Sequence, residues 1–322
     1  MRMNVDWRSA RVVRAETIAE DVRLVEFEVD GFLPSFEPGS HTNIAVVIDD
    51  QRAIRTYTCI PGSPGALAIA VKLHPNSRGG SRFIWSLQPG YEVEFTIPEN
   101  RFELSWRTPS YLLMAGGIGV TPIYGMARAL ASRGMAVRMV YGARSREAMP
   151  FVEELEILLG DKLRLFEADR GQLIDLEAEI ASLPANGELY VCGPLPMLDA
   201  VKRAWTAAGR SSSRLRYEVF GDNGKFAEKP FEVSVVNRDI TVTVRPDQSM
   251  LDALADAGID MIHDCLRGEC GLCAVKVLER DGEIDHRDVF FGDEDEAENL
   301  RMCSCVSRLP GGRVLIDIGY RR

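Results

Sequence analysis

Hydrophobic and polar positions alternate through most of the first hundred residues. The segments "VRLVEFEVD" (22–30), "HTNIAVVI" (41–48), "ALAIAVKLH" (66–74) and "EVEFTI" (92–97) carry the two-residue spacing of half-buried strands. Pro38-Gly39, Pro61-Gly62 and Pro89-Gly90 lie between them as turn signals. Short strands broken by regular turns predict an antiparallel barrel or sandwich. Near Ser110 the pattern changes. "YLLMA" is a wholly apolar strand, followed by a glycine turn and the helical "PIYGMARALASRG". Next come the strand "AVRMVYGA", a helix from about Met149, the strand "LRLFEA", and then "GELYVCG" running into "PLPMLDAVKRAWTAAG". Strands alternating with helices predict βαβ units and a parallel sheet. The Gly- and charge-rich "GDNGKFAEKP" (221–230) reads as a linker. Beyond it "FEVSVVN", "ITVTVRP" and "SMLDALADAG" predict two strands and a helix ahead of a cysteine loop.

Length and composition agree with several domains. A chain of 322 residues exceeds what one ordinary core serves. With 46% hydrophobic and 27% charged residues it reads as a water-soluble globular protein, and no apolar run reaches the roughly 18 residues of a membrane span. The opening "MRMNVDWRSARVV" lacks the apolar block of a secretory signal, so a cytoplasmic location is expected. A net charge of −10 argues against a general nucleic-acid binder, which needs basic patches. The charge is uneven: from Phe231 onward 19 Asp and Glu face 11 Lys and Arg, so −8 of it lies there. Its densest run, Asp293 to Glu296 with Glu298, is either a solvated helix face or a docking surface for a basic partner.

Four motifs carry candidate nucleotide chemistry. "GGIGVTP" (116–122) follows a strand and opens a helix, so glycine backbone and helix N–H groups are free to approach an anion. Pro122 suits the first helical position. The ordinary dinucleotide fingerprint fails twice: its third glycine is missing, and the next strand ends at Gly142-Ala143-Arg144 without an acid. Cys192-Gly193-Pro194 ends a later strand, where open α/β sheets bind ligands; a lone cysteine there is otherwise a small core residue. Arg55-Thr56-Tyr57-Thr58 puts Arg55 and Tyr57 on one strand face and the two threonines on the other, which suits a flavin, although a bare tetrapeptide of this kind is more often an exposed strand. Lys72 and the turn Arg78-Gly79-Gly80-Ser81 form a basic, glycine-rich segment fit for a phosphate nest.

The seven cysteines are odd in number and too clustered for a disulfide scaffold, which points to metal or redox chemistry. Cys265-x4-Cys270-x2-Cys273, with another cysteine some thirty residues on, is the plant-type ligand spacing for a 2Fe–2S cluster. Zinc, the alternative, usually takes two close CxxC knuckles. Gly268 and Gly271 let the loop fold tightly. Cys303 and Cys305 both lie in range as the fourth ligand, and on a strand they would point the same way.

Taken together, "RTYT", "GGIGVTP", "CGP" and "CLRGECGLC…CSCVSR" resemble, in domain order and across essentially the whole chain, the phthalate dioxygenase reductase family. These are FMN-, NADH- and 2Fe–2S-dependent reductases of two-component Rieske oxygenases. The resemblance implies an FMN-binding antiparallel β-barrel over 1–106, an NAD-binding α/β domain over 107–227 and a β-grasp plant-type ferredoxin domain over 231–322. It implies flavin contacts at Arg55, Thr56, Tyr57 and Thr58, with Thr58 in place of the family's Ser, and at Val71, Lys72, Gly79, Gly80 and Ser81. Gly117, Gly119, Thr121, Cys192, Gly193 and Pro194 match its nicotinamide-nucleotide positions, and Phe220 an aromatic near the flavin. "CVSR" aligns with Cys305 to Arg308, which makes Cys265, Cys270, Cys273 and Cys305 the cluster ligands and Cys303 an addition. Arg144 and Arg146 stand where a 2′-phosphate would be met, which keeps NADPH open beside NADH. No side-chain acid or nucleophile is expected. The implied partner is a terminal Rieske-type oxygenase acting on an aromatic or similar small substrate. Rival readings are a reductase for a P450-type heme or ferredoxin, and a non-enzymatic zinc-binding module.

Overall fold

The computed structural model describes residues 6–319 except 32, 34, 64, 75–76, 78, 221–225, 227–228, 237, 239 and 247, and leaves out the side chains of Val219 and Asp293. Arg78 and most of the expected linker therefore lie outside the described residues. The chain divides into two compact units, 1–220 and 221–322.

The first unit opens with β1 (Trp7–Ala19), β2 (Val22–Val29), β3 (Ser40–Ile48), β4 (Gln51–Thr58), β5 (Ile60–Pro61), β6 (Ala66–Lys72), the short helix α1 (Gly80–Ser86), β7 (Glu92–Thr96) and β8 (Glu99–Asn100). They form an antiparallel sheet in the order β4-β3-β7-β1-β2-β6-β5, with β8 on β3. Alternate residues of these strands point inward, so Val12, Val25, Phe27, Ile44, Val46, Leu67, Ile69 and Phe95 fill one core.

The same unit continues with β9 (Ser110–Gly116), α2 (Val120–Ser132), β10 (Ala136–Ala143), α3 (Val152–Leu159), β11 (Leu163–Glu167), α4 (Leu176–Ala181), β12 (Glu188–Gly193), α5 (Leu195–Ala207) and β13 (Leu215–Val219). The sheet is parallel, in the order β11-β10-β9-β12-β13. β9 is central, and its residues Tyr111 to Ala115 are buried, which is why "YLLMA" is apolar throughout rather than alternating. The order runs outward from β9 in opposite directions, through β10 on one side and β12 on the other. The gap between the carboxyl ends of β9 and β12 is thus a topological switch point, where folds of this type take their ligands.

The second unit comprises β14 (Phe231–Val235), β15 (Thr241–Val244), α6 (Met250–Asp256), β16 (Ala274–Arg280), α7 (Asp293–Glu298), β17 (Arg301–Cys303) and β18 (Arg313–Asp317). Its mixed sheet has the order β15-β14-β18-β16-β17, with β14 and β18 parallel and the other pairs antiparallel. Ser249 caps α6 by accepting the Asp252 N–H at 3.0 Å. Met250, Ala253 and Leu254 then bury one face of that helix on Phe231, Val233, Val275 and Ile316.

Candidate electron-transfer sites

On β4, Thr56 faces its cross-strand partner Asn43 and donates to its side-chain oxygen at 2.7 Å. Tyr57 packs against the barrel core, and its apolar surroundings push the phenol well above its usual range. The Thr58 hydroxyl is buried without a hydrogen-bond partner. A buried hydroxyl left unsatisfied costs about 1–3 kcal/mol, a cost that a bound polar ring edge would remove. The glycine turn ahead of α1 lies against this region. Gly79 has φ 84°, and a Cβ there would stand 2.6 Å from Ile48; a Cβ on Gly80 would stand 2.7 Å from the Arg55 side chain. Only glycines let the turn close on β3 and β4 in this way. Ser81 donates to the Ser77 hydroxyl at 2.8 Å. Lys72, next to the buried Val71, is already paired with Asp21 at 3.0 Å.

At the switch point two motifs some seventy residues apart meet backbone to backbone. A Cβ on Gly119 would lie 2.3 Å from the Cys192 carbonyl oxygen, and one on Gly193 would lie 3.1 Å from the Gly116 Cα. Gly117 takes φ 52° and opens a single 3-10 turn through Gly119. The helix α2 begins at Val120, so Pro122 is its third residue and not the expected first; N–H groups of the whole first turn lack intrahelical partners, so proline is equally free there. Thr121 donates to the Ile118 carbonyl at 3.0 Å. Cys192 is fully buried in the sheet core, while Pro194 is the N-cap that precedes α5. Phe220 packs at the edge of the same core, and its N–H reaches the Gly193 carbonyl at 3.5 Å. Ile118 of the glycine turn packs on Val22, Leu24, Ile60 and Ala70 of the barrel, so the turn and the flavin strands belong to one continuous body.

In the second unit the cysteine loop is folded around sulfur. Backbone N–H groups of Arg267, Glu269 and Cys270 all point at the Cys265 Sγ at 3.4 Å. Cys273 and Cys305 bring their sulfurs to 3.1 Å. Hydrogen bonds from Cys303 and Cys305 hold the Cys273 thiol far below its usual range, to about 3. Convergent thiols with amide donors suit a thiolate-held iron–sulfur group, and no second CxxC knuckle of the zinc type is present in the sequence. Gly268 (φ 74°) is needed because a Cβ there would strike Asp288 and Val306 at 2.6–2.7 Å. Cys303 does not share a strand with Cys305: β17 ends at Cys303, and Cys305 sits in the following turn. Both nevertheless pack with Cys273, Leu251 and Phe291. The sequence alone gave no sign of the group His286, Asp288 and Glu296, whose ligand-type atoms lie within 4.8 Å of one another beside this loop. Asp288 accepts from Ser307 at 2.7 Å and from the Phe291 N–H at 3.1 Å, and the adjacent Val289 N–H donates to the Gly268 carbonyl at 3.0 Å, so this segment ties the loop to the turn that carries Cys305.

Comparison with known proteins matches the same three regions. Residues 9–104 match the family described as oxidoreductase FAD-binding domain, 113–203 the oxidoreductase NAD-binding domain, and 234–310 the 2Fe-2S iron-sulfur cluster binding domain. A putative toluene-4-sulfonate monooxygenase system reductase subunit from Comamonas testosteroni is 35% identical over 95% of this chain and 98% of its own length. The solved structure of phthalate dioxygenase reductase superposes with a TM-score of 0.78 at 29% identity, covering 97% of this chain and 98% of that one. The chain belongs to the phthalate dioxygenase reductase family. As a member of it, the protein is an oxidoreductase with flavin, NAD and 2Fe–2S domains. A vanillate O-demethylase oxidoreductase from Pseudomonas is 34% identical over 94% of this chain. The solved structure of full-length CYP116B46 from Tepidiphilus thermophilus is 33% identical over 98% of this chain and 44% of that one, with a TM-score of 0.67. No helix among the described residues is long and apolar enough to cross a membrane.

Proposed function

We propose that this chain is the NADH-dependent, cytoplasmic reductase component of a Rieske-type oxygenase system, with FMN, NAD and cluster domains over 1–106, 107–227 and 231–322. A bound flavin supplies the conversion between a two-electron hydride donor and a one-electron carrier, and the cluster supplies the one-electron exit. The observation that carries the reading is the meeting of Gly119 with Cys192-Gly193 at the switch point, beside strands of the flavin barrel. There Gly117, Gly119, Thr121 and Pro194 would bind the nicotinamide nucleotide, with Cys192 beneath it and Phe220 at its edge. Arg55, Thr56, Tyr57, Thr58, Val71, Lys72, Gly79, Gly80 and Ser81 would hold FMN. The Thr58 hydroxyl would offer a hydrogen bond to the ring, and the turn at Gly79-Gly80 would leave room for the phosphate. Cys265, Cys270, Cys273 and Cys305 would hold the cluster. No side chain acts as acid or nucleophile.

The partner is read from the surface around the cysteine loop. Phe290, 47% exposed, lies over Gly271, where a Cβ would stand 2.2 Å from its ring, and Leu272 next to it is 38% exposed. Glu294 and Glu298 of α7 are exposed nearby in sequence, whereas Asp295 is committed to Arg301. An apolar centre with an acidic margin suits an acceptor protein whose docking face is apolar and basic. We take that acceptor to be a terminal oxygenase, in line with the relatives that are reductase subunits of oxygenase systems. A P450-type heme protein is the second acceptor class, supported by the likeness of this chain to 44% of the full-length CYP116B46 chain.

The test is spectroscopic and kinetic. The purified protein is expected to be red-brown, with overlapping flavin and iron–sulfur absorption, to reduce ferricyanide or cytochrome c with NADH, and to support turnover of a cognate oxygenase. A colourless protein carrying zinc would overturn the reading.

A further inference from the structure

The strand after the glycine turn, β10, runs beside β9 with Gly142 opposite Gly116. Two residues past that pair comes Arg144, and two further Arg146. In open nucleotide-binding sheets the end of this strand meets the adenosine ribose. An acid there favours NAD by binding the 2′-hydroxyl, and an arginine favours NADP by binding the 2′-phosphate. Taken by residue type, Arg144 and Arg146 would therefore select the phosphorylated coenzyme.

The structure commits both guanidinium groups elsewhere. Arg144 pairs with Glu20, in the turn between β1 and β2 of the barrel. That turn is pinned to the nucleotide-binding half, because the Glu20 N–H donates to the Glu147 carbonyl at 2.8 Å. Arg146 is gripped by both carboxylate oxygens of Glu156 on α3, at 2.8 and 2.7 Å, in the two-pronged geometry that a phosphate would otherwise use. Asp21 and Asp169 add negative charge around Arg144, and Glu153 and Glu167 add it around Arg146. Half-exposed pairs of this kind contribute little to folding. Their effect on an incoming dianion is direct: both terminal amino groups of Arg146 and one of Arg144 are engaged, and the carboxylates beside them repel it.

We propose that Glu20 and Glu156 are specificity-determining residues that hold Arg144 and Arg146 as ion pairs and so reject coenzymes bearing a 2′-phosphate. Selectivity for NADH then comes from carboxylates contributed by the barrel turn and by α3, not from an acid at the end of β10. This rests on the nicotinamide-nucleotide reading of the switch point.

The experiment compares the complete flavin- and cluster-loaded protein with Glu156→Gln, Glu20→Gln and the double variant. It measures kcat/KM for NADPH and NADH with ferricyanide as acceptor, and calorimetric binding of 2′-phospho-ADP-ribose against ADP-ribose. The NADPH-to-NADH ratio is expected to rise on the order of tenfold in Glu156→Gln, equivalent to about 1.4 kcal/mol. It should rise further in the double variant, with a parallel gain in 2′-phospho-ADP-ribose binding. Adding Arg144→Gln and Arg146→Gln should abolish the gain. A ratio within twofold of wild type in the double variant, a gain that survives loss of both arginines, or a wild-type protein that already prefers NADPH would each overturn the proposal. Failure of the underlying site reading looks different: neither coenzyme would reduce the wild-type protein, and neither ADP-ribose would bind.

Discussion

Gly119 is held against the backbone of Cys192, not against a side chain that can move aside. Gly119→Ala is therefore expected to push the glycine turn away from β12 at a cost of about 1–3 kcal/mol. NADH-dependent ferricyanide reduction should fall sharply while flavin and cluster absorption stay, and parallel visible spectra and steady-state rates check this. At the cluster, Cys303→Ser should retain full iron content, whereas Cys305→Ser should lose it. Iron and acid-labile sulfide assays separate the two, and the reverse result would exchange the ligand assignment. The pairing of Cys265, Cys270 and Cys273 in one loop was legible in the sequence because ligand spacing within a loop is local. The neighbourhood of Cys303 was not: it depends on β17 ending at that residue, so that Cys305 turns back toward Cys273 from a different segment. Likewise Lys72 read as a free cation beside a phosphate turn. Its partner Asp21 belongs to another strand connection, which no local pattern reveals.

Elements with a continuous buried stretch were read almost to the residue: "AVRMVYGA" is β10, whose Met139 to Tyr141 are buried, and "YLLMA" lies within β9. Those missed have weaker periodicity. β1 runs for 13 residues with two register irregularities against β2, which breaks its alternation. α4 has six residues and is fixed more by its ends than by an apolar stripe. Asp175 caps it by accepting the Ala178 N–H at 3.0 Å, and Glu179, only 1% exposed at its side chain, reaches Arg138 on β10 and Arg164 on β11. Glu179→Ala would leave two arginines facing each other over a half-buried gap. We expect a loss of about 2–3 kcal/mol, reduced from the cost of a fully buried pair because both arginines are partly solvated. Chemical denaturation checks this, with Glu179→Gln expected to lose less. On α7, reversing Glu294 and Glu298 to lysine should slow electron delivery to the oxygenase at low salt and have little effect at high salt, since exposed charges are screened. Ferricyanide reduction should not change. Unaltered oxygenase coupling at low salt would remove α7 from the docking face.

For the whole molecule, the change from alternating to βαβ pattern near Ser110 marked the two kinds of sheet in advance, because each imposes its own hydrophobic period. The pattern did not reveal that barrel and nucleotide sheet share one body. That follows from contacts such as Ile118 on Leu24 and Ile60, which pair residues distant in sequence. The two-unit division predicts that a chain ending at Phe220 folds, binds flavin and reduces ferricyanide with NADH, yet fails to drive the oxygenase. Co-expression with the 221–322 piece tests whether coupling needs a covalent link.

The central position of β9 has a further consequence for the timing of motion. Its amides from Leu112 to Ala115 are hydrogen-bonded between two parallel neighbours and shielded from water on both faces. They should be among the last in the protein to exchange with deuterium. The coenzyme turn is joined directly to the end of this strand. The coenzyme turn should therefore keep its shape through partial openings elsewhere in its unit, and coenzyme binding should persist on gentle heating until that unit as a whole unfolds.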